Sequence, residues 1–351
     1  MTTILTTTGI SLYKNTSGKY PSPSDDQLRH FLRTDPASAS AEANSLLQIA
    51  TASDHLVFLC TETPTAKRCA ELLKEYFQHK GFQHVKVVSL QFQEQEEHIE
   101  TQGLRNLVNT LISQIEDAQR KQQEVIINAT AGFKAQIVYS TMIGMIYGVP
   151  VKYMYETFKK IVTFTPIALD WDTSLFLAYN WFFEWLDEEP RPQREVEERL
   201  KALPDRDQIR SMLMLPDENE DIFLSPMGNV LRQRFIHETE EAELVNWPPE
   251  VAIDNVDEKI AFSLLKSKHH PIKDILPTCH KLAEIPFIRQ VIGGHFENTA
   301  LSRIKRHDAD GTIYLLWADD EKAQNIIIQT TSQGKPQTLK VVNKIREILE
   351  I

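Results

Sequence analysis

The chain has 351 residues and a mass of 40.4 kDa, enough for two or three domains, each with its own core. Apolar residues at 42% and charged residues at 25% describe a globular protein and exclude a disordered or fibrous one. The formal net charge of −11 excludes a general nucleic-acid coat. That charge is unevenly spread. Between Lys259 and His307 nine bases face only Asp274, Glu284 and Glu297, so an acidic body carries one basic island, which points to a localised polyanion site.

The opening Met-Thr-Thr-Ile-Leu lacks the basic start and apolar run of a secretory signal. The longest apolar stretch, at 137–149, is too short and too mixed to span a bilayer. Cys60, Cys69 and Cys279 have no metal spacing and read as reduced thiols. A soluble cytoplasmic protein without membrane partners is expected.

Residues 1–170 alternate short apolar runs with amphipathic segments. Strands are predicted at 3–8, 56–61, 85–90, 124–128, 152–155 and 161–167, and helices at 41–51, 65–79, 104–120 and 133–147. This alternation argues for an α/β, Rossmann-like domain with a parallel sheet covered on both faces. Its ligands belong beyond the carboxyl ends of the strands.

Residues 171–255 differ. An aromatic helix at 173–187, a turn at Pro190 and Pro192, and short helices at 195–203, 209–215 and 221–235 read as a small winged-helix-like spacer. Its acidity speaks against DNA, because phosphate contact supplies most of such affinity. Residues 256–351 read as a compact α+β unit: helical at 262–265 and 275–291, strands at 300–306, 312–318 and 325–330, and a closing helix at 338–351. The run Asp308–Gly311 has hairpin-turn chemistry.

Three turns of the first domain share small hydroxyl residues or glycine after a strand: TTTGIS at 6–11, TETPT at 61–65 and NATAGFK at 128–134. Such turns let a phosphate or ribose approach free backbone N–H groups at a helix start. Lys134 adds a point charge one turn into its helix. Neither Gly-x-Gly-x-x-Gly nor Gly-x-x-x-x-Gly-Lys-Ser/Thr occurs, which disfavours a dinucleotide cofactor or a nucleoside triphosphate.

The run IINATAGFKAQ at 126–136 resembles the motif of CRISPR-associated CARF proteins, in particular the branch that senses cyclic tetra-adenylate made by type III interference complexes. The opening TTGIS and the strand VKYMYE at 151–156 fit the same family. The resemblance implies a homodimer with one cyclic oligoadenylate lying across the two-fold axis as allosteric ligand, and no cofactor. By position it makes Thr8, Gly9, Ser11, Asn128, Thr130, Gly132 and Lys134 candidate ligand contacts. Some relatives also cleave the ring, and Ser11 and Lys134 are then the residues to position that reaction.

For the tail three readings compete. Asp319-Asp-Glu-Lys322 matches paired carboxylates of a metal-dependent nuclease but fits a hairpin tip better, and the adjacent His269 and His270 point two ways and read as surface, so no metal site is expected. Arg232 and His237 satisfy the Arg-x4-His spacing of HEPN ribonucleases, which are all-helical. The order helices then strands, with the basic run 303–307, resembles a RelE-type mRNA-cleaving toxin, whose metal-independent catalysis uses basic and aromatic side chains. That resemblance implies RNA, and with it the ribosome, as partner. It makes Arg303, Lys305, Arg306 and His307 the candidate catalytic residues, with Tyr314 and Lys335 as neighbours. In an unbroken strand Arg303, Lys305 and His307 share one face and Arg306 the other. RelE-type sites often carry an arginine or tyrosine on the last strand, and 326–329 offers neither. The bland alternative is a solvated strand edge.

Overall fold

The computed structural model describes residues 1–90, 103–155, 160–167, 171–217, 219–251, 255–261, 264 and 272–351. The chain divides into two compact units, one of Met1–Trp171 with Ser225–Val230, the other of Asp172–Leu224 with Leu231–Ile351.

In the first unit the elements run β1 (Thr2–Thr8), α1 (Ser11–Ser17), α2 (Asp25–Thr34), α3 (Pro36–Ala39), α4 (Ala41–Ile49), β2 (His55–Thr61), α5 (Pro64–His79) and β3 (His84–Leu90). Then follow α6 (Leu104–Arg120), β4 (Glu124–Asn128), α7 (Lys134–Ile146), β5 (Val151–Tyr153) and β6 (Val162–Phe164). They form a six-stranded sheet in the order β3-β2-β1-β4-β5-β6, parallel except for the antiparallel β5–β6 pair. In β1 and β2 every residue after the first is buried, as expected of central strands covered on both faces. Strand β3, at the sheet edge, mixes exposed and half-buried residues up to the buried Leu90.

Helix α5 shows how the sequence sets these elements. Thr63 caps it by accepting a hydrogen bond from Ala66 N at 3.3 Å, and Pro64 occupies its first turn. Its buried side, Ala66, Cys69, Leu73 and Phe77, packs in one cluster with Phe58 and Leu28. Helices α1 to α3 are absent from the sequence expectations. They are short, and α2 and α3 are defined by caps: Ser24 and Gln27 form a capping box on α2, and Asp35 caps α3.

The second unit opens with α8 (Ser174–Ala178), α9 (Asn180–Glu188), β7 (Arg191–Pro192), α10 (Gln193–Lys201), α11 (Arg206–Ser211) and β8 (Asp221–Ile222). Helix α12 (Pro226–Leu244) begins in the first unit and continues in the second. The segment expected as a helix at 221–235 therefore starts at Pro226, after a strand, and runs on to Leu244.

The closing elements are α13 (Ile275–Ala283), β9 (Ile288–Glu297), β10 (Arg303–His307), β11 (Thr312–Ala318), β12 (Ala323–Thr330) and α14 (Lys335–Leu349). Their four strands form an antiparallel sheet in the order β10-β11-β12-β9. The helix expected over 275–291 stops at Ala283, and 288–297 is a strand. Pro286 bars helical continuation through Ile285, and the β-branched Ile288, Val291 and Ile292 suit a pleated sheet. The residues expected as helix at 262–265, apart from Leu264, and the pair His269 and His270 lie outside the described residues. Among the described residues no helix is long and apolar enough to cross a membrane.

Candidate functional site

Strand order reverses between β1 and β4, which lie side by side and parallel in the middle of the first sheet. The turns leaving their carboxyl ends therefore face one crevice, the place where open α/β sheets bind ligands. The two turns nearly touch: a Cβ on Gly9 would lie 3.4 Å from Gly132 N.

The turn after β4 is held from inside. Thr7 donates its hydroxyl to Ala131 O, and the Asn128 amide is spent between Ser45 Oγ, which accepts at 2.9 Å, and Thr130, which donates to its Oδ1 at 2.7 Å. Thr130 Oγ1 in turn accepts from Met154 N at 3.1 Å. Gly132 has φ +106°, and a Cβ there would lie 2.2 Å from Gln136 Oε1. That oxygen accepts from Phe133 N at 3.0 Å, so only glycine fits this turn. The result exposes Gly132, Phe133 and Lys134 at the start of a 13-residue helix. Among the described residues no hydrogen bond or ion pair engages Lys134.

The turn after β1 is built around Glu42, which is only 1% exposed. Its carboxylate accepts from Gly9 N at 2.8 Å, Ser11 Oγ at 2.5 Å and Ser40 Oγ at 2.6 Å. Thr8 is buried and donates back to Thr6 O at 3.2 Å. Of the seven candidate contacts, Gly132 and Lys134 thus line the mouth, Gly9, Ser11 and Thr130 are half-buried, and Thr8 and Asn128 lie beneath it. Sequence reasoning misses Glu42, because an acid in the first turn of a helix capped by Ser40 is ordinary capping.

On the antiparallel sheet the basic run is interrupted. Ile304 pairs with Leu315 and Arg306 with Tyr314, so Lys305 is an extra, bulged residue. The bulge overturns the expected alternation: Arg303 and Arg306 share the face of Leu316 and Tyr314, and His307 shares that of Ile304 and Ile313. Arg303 is 5% exposed, lies over the Tyr179 ring and pairs with Asp205 Oδ2 at 3.3 Å. Tyr179 donates to the same oxygen, and burial together with Asp205 pushes the Tyr179 phenol well above its usual range.

Lys305 donates to Glu297 Oε1 at 2.8 Å. Burial alone would raise the Glu297 carboxyl, but hydrogen bonds from Lys305 and Asn325 outweigh it and hold the group low. Arg306 is exposed, stacks on Tyr314 at 4.2 Å and lies 3.9 Å from Asp308. Lys335 opens α14. Partial burial would raise the Asp172 carboxyl, but Ser174 outweighs that, with Lys335 and Arg306 acting in the same direction. Arg306, Tyr314, Lys335 and Asp172 thus form one electrostatic neighbourhood beside β10 and β11.

The residues of the two rival nuclease motifs have partners of their own. Arg232 is 4% exposed and bound to Asp187 at 2.9 Å, while His237, on the same helix, faces Glu241 at 3.2 Å. Asp319 accepts from Glu321 N and Lys322 N, both at 2.9 Å, as a hairpin tip does. Among the described residues no three His, Cys, Asp or Glu side chains are grouped to hold a metal ion.

Among solved structures, Can2 from Sulfobacillus thermosulfidooxidans, in complex with cyclic tetra-adenylate, aligns over 73% of each chain at 10% identity with a TM-score of 0.27. So loose a superposition leaves the site to be read from its own residues. Residues 37–167, which span α4, the central strands after β1 and the Gly132 turn, match the family model of a CRISPR-associated protein, Cas_APE2256.

Proposed function

We propose that this chain is a cyclic-oligoadenylate-gated effector, with cyclic tetra-adenylate as ligand, a homodimer as the working form, and the second unit as a metal-independent endoribonuclease of RelE type. The observation that carries the reading is the meeting of the Gly9 and Gly132 turns beyond the carboxyl ends of β1 and β4, with the exposed and unengaged cation of Lys134 beside them. The CRISPR-associated family match over 37–167 supports it. Ile10, Phe133 and Val138 are 45%, 50% and 55% exposed around the same turns, an apolar rim suited to a second copy of the chain. In the second unit Arg306, Tyr314 and Lys335 are the side chains best placed to meet RNA, with His307 across the strand and Arg303 and Lys305 held in ion pairs behind them.

The ligand must favour one arrangement of the dimer over another, since equal affinity for both shifts nothing. The first test is thermal unfolding of the purified protein with cyclic tri-, tetra- and hexa-adenylate, repeated with Lys134→Ala. A rise with one ring, weakened in the variant by about tenfold in affinity, is expected from loss of one charged contact. No rise with any ring removes the reading. RNA cleavage, assayed with and without translating ribosomes, follows for Arg306→Ala and Tyr314→Phe. Consumption of the ring with no RNA cleavage in either assay reassigns the protein as a ring nuclease.

A further inference from the structure

The turn after β1 has an unusual hydrogen-bond balance. A serine hydroxyl has one hydrogen to give and two lone pairs to receive with. Ser11 gives its hydrogen to Glu42 Oε2 at 2.5 Å and receives from Ala41 N at 3.1 Å, so one lone pair remains. The Gly9 N–H is likewise spent on Glu42 Oε1 at 2.8 Å. Ser40, the third donor to this carboxylate, receives from Ala43 N at 3.2 Å. Both groups that could have held a phosphate here, the Gly9 N–H and the Ser11 hydroxyl, are therefore turned inward onto a buried negative charge.

We infer that Glu42 makes the β1 turn a reader of ligand hydroxyl groups, in which Ser11 accepts from a ribose 2′-hydroxyl while the Gly132–Lys134 turn takes the phosphate. The inference rests on the proposed nucleotide ligand and divides the labour between its two turns. A phosphate set against Ser11 would bring a second negative charge close to a carboxylate shielded from water, which is unfavourable. A hydroxyl brings the missing donor, and in a 3′,5′-linked ring the 2′-hydroxyl is the free hydroxyl of each ribose. Across the crevice the balance is reversed: Lys134 carries three N–H donors that no described residue engages. The 2′-hydroxyl is also the group by which a protein tells a ribonucleotide from its deoxy counterpart.

Calorimetry of the full chain with cyclic tetra-adenylate and with the same ring lacking its 2′-hydroxyls tests the assignment. The native protein is expected to prefer the ribose ring by about tenfold or more, as sites built to bond a hydroxyl do. Ser11→Ala, which removes the acceptor, brings that ratio toward one, whereas Glu42→Gln, whose amide hydrogens let the Ser11 hydroxyl turn round and donate to the same ribose oxygen, keeps it. Lys134→Ala weakens both rings by the same factor and leaves the ratio in place. Equal affinity of the native protein for both rings overturns the inference while the proposed function stands. A ratio unchanged in Ser11→Ala, including the case where both rings weaken alike because the turn has loosened, also overturns it. Binding of neither ring overturns the proposed function itself.

Discussion

The two basic sites are built in opposite ways. At the mouth of the parallel sheet Lys134 stands exposed, and no described carboxylate engages it. On the antiparallel sheet each base from Arg303 to Arg306 already faces an acid: Arg303 faces Asp205, Lys305 faces Glu297 and Arg306 faces Asp308. An incoming phosphate meets an unopposed cation at the first site and must displace a carboxylate at the second, where the net gain is smaller. Under the proposed function the first arrangement would serve ligand binding, and the second an output that stays weak until something rearranges it. The contrast also ranks the bases, since a buried Arg303 stabilises the fold whether or not RNA ever reaches it.

The largest effect follows from that ranking. Arg303→Ala leaves Asp205 and the Tyr179 hydroxyl without their cation, and the cost in denaturant unfolding is expected at about 3 kcal/mol. Replacing the pair together, with Arg303→Met and Asp205→Asn, is expected to recover much of it, because no uncompensated charge remains and the amide oxygen still accepts from the Tyr179 hydroxyl. Unchanged stability in the single variant would show that the guanidinium is spare, and the contrast between the two sites would collapse.

A smaller effect probes the turns at the carboxyl edge of the parallel sheet. Gly132→Ala forces a side chain into a left-handed φ and against Gln136 Oε1, at an expected cost of about 1–3 kcal/mol. Gly9→Ala meets only an ordinary contact at 3.4 Å and has no positive φ, so it is expected to unfold within a few tenths of a kcal/mol of the native chain. Equal melting points for the two variants would mean that the Gly132 turn is not the rigid half of the crevice.

What the sequence makes legible follows from which interactions are local. The bounds 104–120, 124–128 and 312–318 coincide with α6, β4 and β11, because apolar periodicity there agrees with the tertiary environment. The turn 128–134 is legible because glycine between a strand and a helix has few explanations. Three things are not legible. The bulge at Lys305 is one inserted residue, yet it moves Arg306 onto the face of Arg303. The change from helix to strand after Ala283 is disguised by an apolar run that satisfies both periods until Pro286 is given its weight. The role of Glu42 depends on Ser11 and Gly9, more than thirty residues earlier in sequence, and no local pattern encodes that meeting.

The smallest expected effect lies at the far end of the parallel sheet, where bases also gather. His55 and His84 occupy paired positions on β2 and β3, their ring centroids 4.2 Å apart, with Lys121 and Lys86 raising the local positive potential and Asp54 opposing it. The His55 Nε2 is buried, with no hydrogen-bond partner among the described residues. Burial first, then His84 and Lys121, lower the pKa of His55, so the folded chain keeps this imidazole neutral more firmly than the unfolded chain does. The stability this contributes is fully present above the ordinary histidine pKa of about 6.5 and is lost as pH falls through the lower folded value. Melting between pH 8 and pH 5 is expected to fall more steeply for the native protein than for His55→Gln, which cannot take up that proton. Carboxylates held low, such as Asp54 and Glu297, lose their contribution in the more acidic range and do not imitate this slope. Parallel curves for the two proteins would mean that the imidazole is already solvated, and that crowding of bases, unlike the unengaged cation at the mouth, has no energetic consequence at this end of the sheet.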